Sequence, residues 1–440
     1  MSSQPAPRLF ARNELPPGPS DSSDYQARHW MTDPCGLLDS CQARFGDLFT
    51  LRLSAFGTIV VIANPDAVKQ VFARGNDRYE CRHFNGSYRY AMGDNALFLQ
   101  DGEAHRQLKR LLAPTFRPPL LHAHAETVRK SAAVSVAGWA GLDELRLRPA
   151  MHELTLRCLF ALCLGEHSSA GEEILAWFRT FVWSDLRAWK PWTAMSRLRP
   201  RIGQLLSREL DHLRAQPSGA AIPTLLESIL QARNADAAPL SDAVIHDQFM
   251  MLMITAGDAV AAAASWTLFR MARHPEVQQA LLEERAPLGP RPLAAEVLRR
   301  PFLSAMTCEV LRLHPVLPTV SGRRLSVREQ FMGFDLPAGV TLAPCQYLVH
   351  RRADIFEDPL AFRPQRFLGR TYPLQSYFPF GGSERACLGS WLAPMSVAII
   401  ADTVAERFAL DCADEVDPRV VRHGTLLAPE PDLRVRLAEH

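Results

Sequence analysis

The sequence predicts a mostly α-helical protein with small peripheral β-sheets, and three patterns lead to that prediction. Apolar residues recur at helical spacing through most of the stretch from about 100 to 315. Strand-like runs are short and lie in two patches, near 49–62 and 318–347. Strands and helices do not alternate, and no GxGxxG motif opens a helix, which argues against a parallel nucleotide-binding sheet.

Local signals justify each element in chain order. Residues 1–24 are rich in proline and serine and predict an extended lead-in to one large domain over 25–440. Strands are predicted at 49–53 and 58–62, and Asn64-Pro65 predicts the start of a helix. Further helices are predicted at 103–112, 151–164, 172–181, 202–213, 242–273, 276–284 and 301–314. The segment 424–437 predicts a terminal hairpin that turns at Pro429 and Pro431.

Composition excludes several classes of protein. Lys and Arg number 49 and Asp and Glu 47, so the net charge of +2 gives no support for nucleic-acid binding. A chain with 22% charged and 47% hydrophobic residues is neither collagen-like nor wholly disordered. The nine cysteines form no CxxC pair, so neither a disulfide framework nor a zinc ribbon is expected. The start does not resemble a signal peptide, and we expect a cytoplasmic protein.

One apolar stretch, 249–269, is long enough to cross a membrane and contains a single charge, Asp258. An acid near the middle of a membrane span costs about 3 kcal/mol, so a buried core helix is the better interpretation and no membrane anchor is expected. A buried acid on such a helix is a candidate functional residue.

The strongest chemical signal is the segment 380–389, Phe-Gly-Gly-Ser-Glu-Arg-Ala-Cys-Leu-Gly. Glycines flank Cys387, and glycine permits close approach of the backbone to a ligand. Backbone amides aimed at the sulfur and a helix starting just after it both favour a thiolate. Taken alone, a cysteine is more often a buried apolar side chain, so the surrounding pattern carries the prediction.

Two further segments complete a pattern. Glu309 and Arg312 lie on one helix face at i, i+3, and Arg366 lies in Pro-Gln-Arg-Phe about twenty residues before Cys387. In order and spacing these segments resemble the cytochrome P450 family of heme-thiolate monooxygenases, with its Glu-x-x-Arg, Pro-Glu-Arg-Phe and Phe-x-x-Gly-x-Arg-x-Cys-x-Gly patterns. The resemblance covers nearly the whole chain and is nearest to soluble bacterial members.

The resemblance implies a heme b cofactor whose iron takes Cys387 as its axial thiolate ligand. In this family the thiolate pushes electron density that favours O–O cleavage. The resemblance also implies a buried structural network that holds the cysteine loop, formed by Glu309, Arg312 and Arg366. It further implies a set of side chains that meet the heme propionates: His105, Lys109, Arg323 or Arg324, and Arg385.

Three positions depart from the family pattern near the heme. Lys109 stands where arginine is usual, and it keeps the charge but loses the bidentate fork. Ser383 stands where glycine is usual, which costs about 1–2 kcal/mol if the position needs a positive φ. Pro394 predicts either a kink or a late start of the helix after the cysteine.

The fourth departure lies in the central helix, where the family has an acid–alcohol pair that delivers protons. Ungapped flanks align Asp258 with the acid and Ala259 with the alcohol; another register aligns Ala256-Gly257 with the family's Ala-Gly and needs a gap. Without the alcohol, a substrate hydroxyl or water replaces it, or the enzyme couples or closes rings without inserting oxygen, or turnover is slow. A non-catalytic heme-thiolate binding protein is the alternative from another class, against which the buried Asp258 argues.

By resemblance the substrate pocket is lined by Met253, Ala256, Val320 and Thr425. Its mainly apolar lining predicts an apolar small-molecule substrate, a secondary metabolite such as a terpenoid or macrolide. Aromatic residues of the predicted lid either line this pocket or belong to the core: Trp177, Phe178, Phe181, Trp183, Trp189 and Trp192.

The sequence contains no flavin or iron–sulfur motif, so we expect another protein to supply the electrons. The resemblance implies a ferredoxin and a ferredoxin reductase as electron donors. Arg106, Arg110 and Arg385 would attract such an acidic partner to the cysteine side. Basic residues in the lid either face solvent or attract an acidic substrate or a carrier protein: Arg179, Arg187, Lys190, Arg197, Arg199 and Arg201.

Overall fold

The computed structural model describes residues 15–75, 78–166, 168–184, 192–215, 222–233, 238–289, 292–412 and 417–440. Within these ranges, side chains are described except at 84, 169, 180–184 and 192–194. Residues 1–14 of the predicted lead-in therefore lie outside the described part. Of the remainder, Pro16 and Pro17 run beside the first strand, where their carbonyls accept hydrogen bonds from the Thr50 hydroxyl (2.7 Å) and amide (2.8 Å).

Helices dominate the described residues, as the sequence predicts. They are α1 (Ser23–Thr32), α2 (Pro34–Phe45), α3 (Pro65–Ala73), α4 (Arg82–Asn85), α5 (Arg89–Met92), α6 (Gly102–Leu112), α7 (Pro118–Ala137), α8 (Leu147–Leu164), α9 (Ser169–Ser184), α10 (Trp192–Ala215), α11 (Leu225–Gln231), α12 (Asp242–Arg273), α13 (Pro275–Arg285), α14 (Ala294–Val297), α15 (Pro301–Leu313), α16 (Gln346–Val349) and α17 (Leu392–Arg407). The predicted helix start at Asn64-Pro65 is confirmed, since the Asn64 side chain caps the Ala67 amide at 3.0 Å.

Strands form small sheets at the periphery, which confirms the predicted fold class. They are β1 (Leu48–Leu53), β2 (Gly57–Ile62), β3 (Tyr79–Glu80), β4 (Glu144–Arg146), β5 (Arg323–Leu325), β6 (Glu329–Phe331), β7 (Phe334–Leu336), β8 (Thr341–Pro344), β9 (Phe408–Asp411), β10 (Val420–His423), β11 (Leu426–Pro429) and β12 (Arg434–Glu439). The largest sheet has the order β1-β2-β8-β5-β3. Its single parallel contact pairs β2 with β8, so it brings the two predicted β patches together.

The predicted hairpin over 424–437 is wrong. Strand β11 pairs backward with β10, from Val420↔Pro429 to His423↔Leu426. Strand β12 pairs instead with β9 and β4. Pro429 ends β11, and Pro431 lies between β11 and β12, which belong to different sheets. Proline lacks an amide hydrogen and so suits such a break in pairing.

Helix α12 is the central element of the fold. Ser241 caps its start by accepting a hydrogen bond from the Val244 amide at 3.4 Å. It packs most closely against α8, where a Cβ at Gly257 would lie 3.1 Å from Leu156. The Thr155 hydroxyl donates to the Gly257 carbonyl at 3.2 Å across this contact. The close approach at Gly257 therefore fixes how α12 faces the rest of the molecule.

Two helical stretches pass a test of length and hydropathy for membrane spans, Asp242–Arg273 and Leu388–Arg407. In each, 67% of the most apolar window is buried inside the fold. The central helix of a folded domain has the same composition, which agrees with the core helix predicted over 249–269.

Candidate active site

The cysteine loop is a compact turn that leads into α17. The Cys387 amide donates to the Phe380 carbonyl at 2.9 Å and so closes the loop. A Cβ at Gly382 would lie 2.6 Å from the Phe72 ring, which explains glycine there. Ser383 has φ +60°, so the predicted positive φ at this position is confirmed. Helix α17 begins at Leu392 with Pro394 in its first turn, which fits the predicted late start.

The Cys387 side chain is exposed, whereas Cys158, Cys163 and Cys345 are buried. The Gly389 amide donates to the Cys387 sulfur at 3.3 Å. Desolvation of the sulfur by the surrounding protein raises the pKa of the thiol, and the Gly389 amide and the Lys109 ammonium oppose that rise. The loop thus presents a sulfur that already receives an amide hydrogen bond, as a metal-bound thiolate requires.

A buried ion network lies beneath this loop. Glu309 and Arg312 are each 0% exposed and form a bidentate pair, with contacts of 2.7 and 2.8 Å. Glu309 Oε1 also accepts hydrogen bonds from the Arg366 Nε at 3.0 Å and from the Arg363 amide at 2.8 Å. The remaining Arg312 donors bind carbonyls of His350, Pro359 and Ala361. These contacts fit the predicted structural role of Glu309, Arg312 and Arg366.

Two contacts connect the network region to the chain that enters the cysteine loop. The Phe378 amide donates to His350 Nε2 at 2.9 Å, and the Tyr377 hydroxyl donates to the Cys308 carbonyl at 2.9 Å. Burial, followed by the charges of Arg312 and Arg351, lowers the pKa of His350 well below its ordinary value. The neutral ring is the form that can accept the Phe378 amide.

The residues predicted to meet the heme propionates form a region rich in hydrogen-bond donors. His105 is 4% exposed, and its Nδ1 has no hydrogen-bond partner among the described residues. Arg385 binds the Gln100 carbonyl at 2.6 Å and the Asp101 carboxylate, and its Nε is buried without a partner. Arg323 is also buried and donates to the Ser321 carbonyl at 2.8 Å. Such unpaired buried donors suit the carboxylates of heme b.

Lys109 makes contacts that the sequence did not predict. Its ammonium donates to the Glu384 carbonyl at 2.6 Å and the Ala386 carbonyl at 2.7 Å, on either side of Arg385. Burial, then the charges of Arg385 and Lys109, lowers the pKa of His105 to about 3. A neutral His105 beside these cations is available to donate or accept according to its tautomer.

Asp258 lies on the face of α12 that is directed at α8 and β10. Its carboxylate oxygens are 3.1 Å from His152 Nε2 and 4.0 Å from His423 Nε2. Burial opposes ionisation, but the His152 hydrogen bond and the charges of His152, His423 and Arg148 lower the pKa of Asp258. These residues line a cavity of about 20 Å³, enough for one water molecule. The partners His152 and His423 were missed because no local sequence signal connects them to Asp258.

The next residue, Ala259, is partly buried and carries no hydroxyl. A hydroxyl lies one helical turn earlier, at Thr255, which is exposed and donates to the Met251 carbonyl at 2.8 Å. On a helix, positions i+3 and i+4 both neighbour position i, so Thr255 lies between Asp258 and Ala259 as seen along the helix axis. Asp258 therefore has hydrogen-bonding partners in the structure, whereas the position of the family's alcohol carries only the methyl group of Ala259.

The predicted pocket residues fall into different environments. Val320 lies below the cysteine loop, 3.6 Å from a Cβ built at Gly381, and Ala256 and Thr425 are partly buried. Met253 is 2% exposed and belongs to the main core. On the same helix, Met251 and Ile254 pack against both this core and a smaller apolar cluster that also contains Tyr88, Met92, Ala96, Phe98 and Leu99.

The predicted lid and docking residues are only partly described. Phe178 is buried in the main core, and Trp177 packs against that core. For these two residues the structure favours a place in the core over a place in the pocket lining. The side chains of Phe181, Trp183, Trp189 and Trp192 lie outside the described residues, as do Arg187 and Lys190. Other basic residues of the lid are paired: Arg179 with Glu153, Arg199 with Asp247 and Arg201 with Glu173.

On the cysteine side, Arg385 does not add free charge to the surface, because its side chain is 6% exposed and paired with Asp101. Arg110 is exposed, and Arg106 is partly exposed and bound to Glu103. Trp391, four residues after Cys387, is 58% exposed on the same part of the chain.

Comparisons with known proteins agree with this site. A family model described as Cytochrome P450 matches residues 26–436. The chain is 30% identical to putative cytochrome P450 135B1 of Mycobacterium tuberculosis, over 96% of this chain and 91% of that protein. It is 24% identical to putative cytochrome P450 138 of the same species, over 99% and 98% of the two chains.

Solved structures share the fold at lower identity. Cyanobacterial CYP120A1, solved with retinoic acid bound, has a TM-score of 0.85 and 23% identity, covering 97% of this chain and 99% of its own. The heme domain of cytochrome P450DA has a TM-score of 0.83 and 20% identity, with 98% of both chains covered.

Proposed function

The chain belongs to the cytochrome P450 family, and we propose that this heme b monooxygenase oxidises a mainly apolar small molecule with O₂ and two electrons from a ferredoxin and its reductase. A secondary metabolite such as a terpenoid or macrolide is the proposed substrate, and hydroxylation is the proposed reaction. The single observation that carries the proposal is the Cys387 loop, closed by the bond from the Cys387 amide to the Phe380 carbonyl, with the Gly389 amide directed at the sulfur.

Heme b, held by Cys387, would supply the activation of O₂, with the thiolate donating electron density. The chain's own residues would orient the cofactor. The unpaired donors of His105 and Arg385, together with Arg323, would bind the propionates. Lys109 would hold the loop carbonyls around Arg385 and thereby keep Cys387 in place. Glu309, Arg312 and Arg366 would make the loop rigid from below.

An apolar substrate is supported by the cluster that contains Phe98, Met251 and Ile254. These side chains are partly buried, and Met251 precedes Thr255 by one turn of α12. Removing such surface from water favours binding by about 25 cal/mol per Å² of apolar area. Few polar groups are then needed to orient the substrate.

Proton delivery would begin at Asp258. The carboxylate holds a proton donor, His152, at 3.1 Å and has a second imidazole, His423, at 4.0 Å. A water in the adjoining cavity could exchange protons with all three groups. Because Ala259 offers no hydroxyl, the last transfer would use water or a hydroxyl of the substrate.

A second candidate reaction is oxidative coupling or ring closure without oxygen insertion. Ala259 keeps this candidate open, since the position of the family's alcohol carries no hydroxyl. Incorporation of ¹⁸O from ¹⁸O₂ into the product distinguishes the two. Labelled product supports hydroxylation, and an unlabelled product two hydrogens lighter than its substrate supports coupling or ring closure.

The electron donor would approach the cysteine side of a cytoplasmic protein. Arg110 is exposed there, and Trp391 offers a large exposed ring close to Cys387 in the sequence. Acidic ferredoxins are attracted by such positive charge. A carrier protein that delivers a tethered substrate to the basic lid is the remaining candidate partner.

The first experiment is a titration of the purified ferric protein with terpenoids, macrolides, aromatic compounds and peptides, followed by the Soret band. A shift from low to high spin identifies the class of compound that binds beside the heme. Turnover with ferredoxin, ferredoxin reductase and NADH must then yield an oxidised product. NADH consumption that gives only peroxide with every compound that binds would contradict the proposed activity.

A further inference from the structure

Arg422 is a largely enclosed cation without an acidic partner among the described residues. Its Nε donates to the Gly424 carbonyl at 2.8 Å, and its Nη1 donates to the Trp30 carbonyl at 2.6 Å. The guanidinium also lies 5.4 Å from the centre of the Trp30 ring. No described carboxylate lies within 4.0 Å of it, and Nη2 has no described protein acceptor.

Arg422 stands beside a hydroxyl pair. The Tyr88 hydroxyl donates to the Thr425 hydroxyl at 2.7 Å, and Thr425 follows Arg422 by three residues in the turn between β10 and β11. Burial lowers the pKa of Arg422 to about 10, and the neighbouring Tyr88 opposes this shift. The cation and the two hydroxyls therefore share one poorly solvated location.

The same Tyr88 ring is part of the apolar cluster with Phe98, Met251 and Ile254. Its ring packs edge-on against Phe98, with ring centres 5.2 Å apart. One end of this tyrosine thus belongs to the apolar wall beside α12, and its hydroxyl end belongs to the Arg422 location. A molecule lying along the wall would be apolar over its length and would meet a cation at its end.

A buried cation is unfavourable unless an anion or several acceptors compensate it. The two carbonyls satisfy two of the five N–H groups of Arg422 and supply no negative charge. An anion that reaches Nη2 would form charge-assisted hydrogen bonds, and a planar carboxylate matches the planar guanidinium. With one cation and neutral hydroxyls beside it, a singly charged carboxylate balances the charge better than a phosphate monoester does.

We propose that Arg422, with the Thr425 hydroxyl that the Tyr88 hydroxyl bonds and orients, binds the carboxylate of an apolar acid substrate and so orients its hydrocarbon part along the wall toward α12. This rests on the proposed function, and it narrows the substrate class from apolar molecules to apolar carboxylic acids. Trp30 and Gly424 hold the guanidinium in place, and the carboxylate takes the donors that they leave.

The test uses matched ligands on the heme-loaded protein. Terpenoid and long-chain acids are each compared with the methyl ester, the alcohol and the alkyl phosphate of the same skeleton, and dissociation constants are measured from the Soret shift. For at least one skeleton, the wild-type protein is expected to bind the acid about ten-fold or more tightly than the ester, as one charge-assisted contact requires. If no acid binds more tightly than its ester, or if the phosphate is preferred, the proposal is overturned.

Variants locate the effect. Arg422→Gln is expected to reduce the preference for the acid to within about two-fold while ester binding stays unchanged. Arg419→Gln is the matched control, because Arg419 precedes the same hairpin but is exposed and paired with Glu430. Tyr88→Phe, which keeps the ring, is expected to weaken acid binding by a smaller factor. An undiminished preference in Arg422→Gln contradicts the proposal even if Tyr88→Phe has an effect.

The experiment distinguishes failure of the proposed carboxylate site from failure of the proposed monooxygenase function. If esters and acids bind equally and one is oxidised, the monooxygenase assignment stands and the carboxylate site is wrong. If acids bind through Arg422 but are never converted to product, the site is supported and the proposed activity fails. Should Arg422→Gln lose its heme, Tyr88→Phe and the wild-type ligand series still decide the question.

Discussion

The cysteine side of the molecule and the α12 side are built in different ways. Below the cysteine loop, Glu309, Arg312 and Arg366 bind one another and a set of backbone carbonyls, with almost every donor paired. Across α12, Asp258 and Arg422 depend on partners such as His152, Tyr88 and Trp30 that come from remote parts of the chain. The first region fixes a ligand in one geometry, and the second leaves polar groups available for water, protons and substrate.

The largest effect is expected at Cys387, where a substitution should remove thiolate ligation completely. Cys387→Ala should abolish the ferrous carbon monoxide band typical of thiolate ligation, because Cys387 is the proposed sulfur ligand. Cys412→Ala is the control, since Cys412 is a free cysteine outside the loop. A thiolate spectrum that survives in Cys387→Ala would remove the ligand assignment.

The second largest effect is expected in the buried network. Glu309→Gln should lower the free energy of unfolding by about 3–5 kcal/mol, because it leaves Arg312 and Arg366 charged in the interior without a counter-charge. Urea denaturation of the holoprotein measures this. Glu144→Gln, which affects an exposed pair with Arg434, should change stability little. Equal effects of the two substitutions would mean that the network is not a special feature of the cysteine side.

The pH dependence of the free energy of unfolding tests both the cysteine side and the α12 side. Burial, and then Arg148, lowers the pKa of His423 from an ordinary value of 6.5 to about 4 in the folded protein. A lowered folded-state pKa contributes stability above pH 6.5, and this contribution is lost as the pH falls toward 4. His423→Gln should therefore flatten the pH dependence of unfolding, by up to about 3 kcal/mol between these limits.

An exposed histidine serves as the control, and other buried histidines contribute to the same pH dependence. His122→Gln is the control substitution, since His122 is exposed. The buried His314, which stacks on Trp266 of α12, and His350, which accepts from the Phe378 amide, have pKa values lowered in the same direction. The slope that remains in His423→Gln is expected from these and other groups with lowered pKa values, and an unchanged slope would show that His423 is not protected from protons in the folded state.

A smaller effect is expected at the missing alcohol. Ala259→Thr should raise the fraction of electrons that appear in product by up to about ten-fold, less than the full 10²–10⁴ of an acid–base step, because Asp258 is already in place. The ratio of product to NADH consumed measures this coupling. No change would indicate that water or a substrate hydroxyl already serves, and a loss would favour coupling or ring closure. Asp258→Asn should lower coupling in either background.

The contacts of the cysteine side could be predicted from the sequence because they depend on local spacing. Glu309 and Arg312 are one helical turn apart, and the glycines around Cys387 are fixed by turns within the loop. The α12 side could be predicted only in its central helix. Its partners, His152, His423 and Arg422, are surface-like residues in the sequence and meet α12 or α1 only after the chain has folded. The wrong terminal hairpin has the same origin, because nothing local indicates that β11 pairs backward with β10.

The cysteine side nevertheless contains one position that is not optimal, and it gives the smallest predicted effect. Ser383 has φ +60°, which costs a non-glycine residue about 1–2 kcal/mol. Ser383→Gly removes this cost in the folded protein. Part of the resulting gain in stability is lost, because glycine has greater conformational freedom in the unfolded chain. We expect a net gain of about 0.5–1 kcal/mol in the free energy of unfolding, measured by urea denaturation of the holoprotein.

Gly381 in the same loop provides a control of opposite sign. Its φ is +69°, and an added Cβ would lie at an ordinary 3.6 Å from Val320, so Gly381→Ala should lose about 1–2 kcal/mol through the backbone alone. Opposite signs for the two substitutions would show that the loop tolerates strain at Ser383 because the network and the Lys109 contacts hold its backbone. If Ser383→Gly is neutral or destabilising, the serine side chain compensates its own strain, and the rigidity of the cysteine side depends on the loop itself rather than on the ion network beneath it.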